Sequence, residues 1–125
     1  MRCPKPETRL ERRTHRDRTG RQREAALKRA VWDRDEGRCR VCGVRCLRLL
    51  TLHPRRGEVH HGRPRAHRAT RFDVRNGLLL CAADHERVTT HRIEIVAKHR
   101  FVIEGVAYFD MSGPLHFVHA PGVES

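Results

Sequence analysis

The sequence predicts a small α+β domain, with an N-terminal helix, a centre of short strands and one helix, and a C-terminal subdomain of β-hairpins. Three observations predict it. Apolar residues recur at helical spacing after Thr19, a Cys-x-x-Cys pair at Cys39 and Cys42 interrupts that pattern, and from Ile93 onward apolar and polar residues alternate. With 125 residues, 38% of them hydrophobic and 34% charged, the chain is one domain's worth with a small core, which excludes a large multilayer enzyme.

Residues 1–18 carry two prolines, alternating charges and only Leu10 as a large apolar side chain, so they read as a flexible basic arm. A helix then starts at Thr19 as its cap, with Ala26, Leu27, Ala30, Val31 and Arg34 on one face and Gly37 as its stop. It delivers the chain to Cys39. Beyond the Cys-x-x-Cys-Gly turn come a Leu-rich stretch from Cys46 to Leu52, a turn over residues 54–57 and a strand-like piece, Glu58 to His61. A basic loop over residues 63–75 is anchored by Phe72 and Val74 and closes on Asn76-Gly77, a tight-turn pair. Leu78 to Leu80 then form a short buried strand ending at Cys81, and residues 82–91 suit a helix. Ile93 and Ile95, Phe101 and Ile103, Val106 and Tyr108, and Leu115 and Phe117 mark the strands that follow, with Glu104-Gly105 between two of them.

The charge is lopsided. The chain carries 27 Lys and Arg against 15 Asp and Glu, a net +12, and nearly all the basic residues are Arg. Residues 1–40 and 41–75 each hold +7, whereas residues 76–125 hold −2. Arg presents a planar fork of donors that matches phosphate oxygens, so the expected partner is a polyanion such as nucleic acid; a solvated Arg-rich surface is the plainer alternative. No apolar run reaches the roughly 18 to 20 residues of a membrane helix. The N-terminus has charges where a signal peptide would be apolar, so a soluble, cytoplasmic protein with no membrane partner is expected.

Five cysteines in such a setting point to metal rather than to disulfides. A Cys-x-x-Cys turn supplies two thiolates from one tight loop, and zinc is the first suspect for Cys39 and Cys42. The second half of the site is Cys81-Ala-Ala-Asp84, with Asp84 either a carboxylate ligand or a lost one; Cys46 and His85 are the other candidates for the fourth position. A second constellation overlaps the first: His60-His61, then Asn76, the only asparagine in the chain, then His85.

In the stretches WDRDEGRCRVCG (Trp32 to Gly43), EVHHGRPRAH (Glu58 to His67) and NGLLLCAADH (Asn76 to His85), the sequence resembles the HNH endonuclease family over roughly residues 25–92. The resemblance implies a ββα-metal motif stapled by a zinc knuckle over residues 19–92, with 93–125 as a C-terminal β-hairpin extension. It implies His60 and His85 as ligands of a catalytic divalent metal, His61 as general base and Asn76 as the residue that orients it. The chemistry needs such a set, because hydrolysing a phosphodiester requires water to be deprotonated on one side while charge on the leaving oxygen is neutralised on the other. His60 and His61, adjacent on a strand, diverge unless the strand ends in a bend.

Two imidazoles suit manganese, nickel, cobalt or zinc better than magnesium, although similar enzymes commonly run on magnesium or manganese. Two departures from the family pattern stand out: Asp84 takes the place of the fourth zinc cysteine, and Thr89 that of a third histidine ligand, with His91 on another face. Arg63, Arg65, Arg68 and Arg71 lie between the base and Asn76, where they would contact phosphate. The resemblance therefore implies a metal-dependent endonuclease acting on DNA, like small nucleases of phages and mobile elements. The alternative is a non-catalytic zinc-dependent nucleic-acid-binding module in which His85 completes the zinc site.

Overall fold

The computed structural model describes residues 5–6, 8–64 and 66–121, and the side chains of all of these except 13–17. Its architecture is α+β: two helices and three two-stranded antiparallel sheets. Among the described residues, no helix is long and apolar enough to cross a membrane.

Helix α1 spans Arg9–Arg34, ten residues longer at its start than the sequence suggests. Residues 9–18, expected to form part of an arm without secondary structure, are its first turns. The local cause is a capping box: Thr8 Oγ1 accepts from Glu11 N at 3.1 Å, and Glu11 Oε2 accepts from Thr8 N at 2.9 Å. Among the described side chains of this helix, Leu27 and Val31 are the buried ones, while Ala26 and Ala30, expected on the core face, are exposed. Half-buried Arg34 does reach the core, donating to Val74 O at 2.7 Å and to Gly77 O at 2.6 Å.

After α1 the chain turns through Glu36 and Gly37, both at positive φ, into the knuckle, where Gly43 N donates to Cys39 O at 2.8 Å. Residues 47–56 then form a loop closed at its base by Leu47 N to Arg55 O, 2.7 Å, and Gly57 N to Leu47 O, 2.9 Å. Strand β1 (Gly57–His61) pairs antiparallel with β2 (Gly77–Cys81) in the register Gly57 to Cys81 and His61 to Gly77. Every residue of β2 is buried, which is why it reads as an unbroken apolar run. Its other edge is occupied as well: Leu79 N donates to the buried Asp35 carboxylate at 2.9 Å and Leu79 O accepts from Arg40 N at 2.9 Å.

Asn76-Gly77 is not a hairpin turn. Asn76 ends a 3-10 turn over Val74–Asn76 and Gly77 opens β2 in extended conformation. Helix α2 (Ala82–Thr89) follows, ending two residues before the expected His91, which sits at φ 61 beyond its end.

The C-terminal region holds β3 (Ile93–Ala97) paired with β6 (Leu115–His119), and between them the hairpin β4 (Arg100–Ile103) and β5 (Val106–Phe109), turned by Glu104 and Gly105 at positive φ. Ile93 and Met111 from this region complete the core formed by Leu27, Val31, Leu78, Leu79, Leu80 and Val88. Arg40 stitches it down, donating to Met111 O at 3.1 Å and Gly113 O at 2.9 Å while pairing with Asp35 at 3.1 Å.

Candidate metal group and histidine cleft

Cys39 and Cys42 come from the knuckle, Cys81 from the end of β2 and Asp84 from the first turn of α2. Their ligand atoms all lie within 4.8 Å of one another. Cys42 Sγ and Cys81 Sγ are 3.9 Å apart, and Asp84 Oδ2 lies 3.3 Å from Cys39 Sγ and 3.4 Å from Cys81 Sγ. Four donors at about 2.1 to 2.3 Å from a tetrahedral ion are separated by roughly 3.4 to 3.8 Å, so the spacing fits one. Asp84 offers one oxygen inward because the other accepts from Arg87 Nη1 at 2.6 Å. Burial of Asp84 opposes its ionisation, but hydrogen bonds from the cysteine thiols and Arg87 win and hold it below the usual carboxylate range. Burial pushes the Cys42 thiol up to about 11, with its cysteine and aspartate neighbours adding to the shift, and drives Cys81 higher still. Cys42 and Cys81 therefore hold their protons beside an ionised Asp84, and a bound cation would displace them.

This geometry decides among the open candidates for the fourth position. Asp84 belongs to the group; Cys46 is buried beside it with its thiol 3.9 Å from Val44 O. His85 points elsewhere, its Nδ1 2.6 Å from Glu58 Oε2.

Beside that group, β1 and α2 form one wall of a cleft of about 520 Å³, and α1 the other. His60, His61 and His85 all line it. The His60 and His85 rings meet edge to face, centroids 5.4 Å apart. Burial, reinforced by His85 and His61, lowers His60 to about 4, so at neutral pH it is an uncharged imidazole with a lone pair to give. Glu58 Oε2 takes up Nδ1 of His85, so Nε2 is the ring nitrogen left over for a further partner.

Asn76, 1% exposed, ties the loop after β1 to the start of β2. Its Oδ1 accepts from Arg63 N at 2.7 Å, its Nδ2 donates to Arg63 O at 3.1 Å, and its backbone O accepts from Gly62 N at 2.7 Å. Family models, characterised proteins and solved structures were all compared with the chain. None of them matches.

The predicted basic residues separate. Arg63 and Arg68 are exposed, and Arg71 is half-buried with its guanidinium 4.9 Å from the centre of the Phe72 ring; Arg65 lies outside the described residues. His91 is exposed, and Thr89 Oγ1 donates to His85 O at 3.0 Å, so neither joins His60 and His85 in the cleft.

Sequence reasoning missed the charged and aromatic residues that line the cleft beside the histidines, Glu24, Lys28, Trp32, Arg56 and Glu58, of which Lys28 and Glu24 pair at 4.0 Å. Glu58 had a signal, since it is two residues from His60 and so on the same strand face. Trp32 had none. It lies against Gly57, where any Cβ would come within 2.3 Å of the indole, so the close approach of α1 to β1 depends on that glycine.

Proposed function

We propose that the protein is a metal-dependent HNH-type endonuclease that hydrolyses DNA phosphodiester bonds. The observation that carries this reading is the convergence of His60, from the end of β1, with His85, from the first turn of α2, in one cleft that His61 also lines. His60 and His85 would hold a divalent ion, which would supply electrostatic stabilisation to the phosphate and the leaving oxygen. The chain's own residues do the rest. His61 takes the proton of the attacking water, and Asn76 fixes the loop at Gly62 and Arg63 immediately after it. Glu58 holds the His85 ring and its tautomer. Lys28 and Arg56, lining the same cleft, offer positive charge to the substrate phosphates. The Cys39, Cys42, Cys81 and Asp84 group, taken as a zinc site, fixes the helix that carries His85.

The test is nicking of supercoiled plasmid with a panel of divalent ions and a chelator control. Metal-stimulated nicking is expected from the wild type, and His61→Ala is expected to lower it at least about a hundredfold with fold and zinc content unchanged. Full activity of that variant would remove the mechanism. One tightly bound zinc, DNA binding and no cleavage with any added ion would favour the binding module instead.

A further inference from the structure

The loop over residues 47–56 leaves apolar side chains in solvent without cover. Leu50 is 99% exposed, Leu52 90% and Leu49 39%. Scattered exposed leucines are ordinary, but two almost fully exposed leucines at one tip, on a loop whose base is closed by backbone hydrogen bonds, form a preorganised protrusion. The loop itself is one-signed, since residues 45–56 hold four arginines and no acidic residue, while Asp33 and Glu36 share a cavity with Arg45 and Arg48 at its base. One of the arginines, Arg56, connects the tip to the histidine cleft, since its Nη1 lies 3.5 Å from Leu50 O and its side chain lines the cleft.

We infer that this loop is a duplex-distorting wedge, in which Leu50 and Leu52 enter between base pairs while the arginines at its flanks hold the phosphates. The inference rests on the nuclease reading above and adds to it the way in which the substrate is presented. Apolar side chains inserted at a base step unstack and bend DNA, and one or two residues suffice for that. A membrane surface asks for more, because stable anchoring requires a larger apolar area than two leucines provide. A second copy of the chain is also a poor occupant, since a like-charged arginine tip would meet its own charge. A nucleic acid that reaches both the tip and the cleft satisfies the apolar and the basic residues together.

The experiment uses a short duplex carrying 2-aminopurine, whose fluorescence rises on unstacking, with the full chain and no added divalent ion. Affinity is followed separately by anisotropy at low salt, and circular dichroism and zinc content confirm the fold of the variants. The wild type is expected to brighten the probe several-fold. Leu50→Gln/Leu52→Gln is expected to lose that rise while its affinity falls by no more than about tenfold, because the phosphate contacts remain. Equal brightening with and without the leucines, or binding by the wild type with no brightening, overturns the wedge and leaves the nuclease reading standing. Absence of any duplex binding by the wild type overturns both. Leucine-dependent sedimentation with phosphatidylcholine–phosphatidylserine vesicles, in place of duplex distortion, replaces the wedge with a lipid contact.

Discussion

Asn76 makes its contribution through geometry that no other residue type supplies at once. A single buried amide donates to and accepts from the backbone of Arg63, closing a span of 13 residues. Asn76→Ala leaves a backbone N–H and a carbonyl without these partners, and a loss of about 1 to 3 kcal/mol in denaturant unfolding is expected. Asn76→Asp keeps the acceptor and loses the donor, so it should recover only part of that loss. Glu58 works on charge more than on shape. In Glu58→Gln the amide oxygen still accepts from His85 Nδ1, but the negative charge behind the ring is gone. On the proposed nuclease reading, divalent-ion affinity at the histidine cleft should then fall about tenfold, measured by the ion concentration that half-saturates nicking, with the metal content of the cysteine group unchanged. The asparagine could be singled out from the sequence because it is unique and opens an apolar strand. The role of Glu58 was hidden, since an acidic residue on a short strand reads first as a solvent-facing one, and only its pairing with a residue 27 positions away gives it a task.

Elements differ in how far local sequence determines them. Strand β2 and helix α2 are legible because burial on all sides demands an unbroken apolar run and Cys81 marks its end. The alternating residues after Ile93 likewise mark β3 to β6, whose pairing places Ile93, Ile95, Leu115 and Phe117 toward the core. Helix α1 is the counterexample. Composition argued against order before Thr19, yet the helix begins at Arg9, held by a capping box that composition does not register. The group that could hold a metal shows the reverse situation, with spacing alone naming all four members and only the contacts separating Asp84 from Cys46 and His85. A carboxylate is a harder donor than a thiolate, so Asp84→Cys should complete a four-thiolate set and tighten zinc about tenfold or more in a competitive chelator titration. An unchanged or weaker affinity would show that the Arg87 pairing contributes more than donor softness.

Across the whole molecule, the basic excess belongs to α1, the knuckle, the loop over residues 47–56 and the loop after β1, whereas the last 50 residues are slightly acidic. On the proposed reading, DNA affinity is dominated by phosphate contacts, and the logarithm of the binding constant should fall linearly with the logarithm of salt, with a slope near −0.9 for each phosphate engaged. A slope near zero would separate the charge from binding. The positions of charges along the chain were legible from the start; the face each would present was not, because Arg34 and Arg40 spend their guanidinium groups on buried carbonyls and on Asp35 rather than on solvent. Arg40 carries a consequence for how the molecule comes apart. One side chain grips both the Asp35 carboxylate that caps β2 and the carbonyls of Met111 and Gly113, so it ties the C-terminal strands to the centre. Residues 93–121 and the Cys39, Cys42, Cys81 and Asp84 group are therefore expected to unfold together, so a chain shortened at residue 92 should lose amide protection against hydrogen exchange in β2 as well.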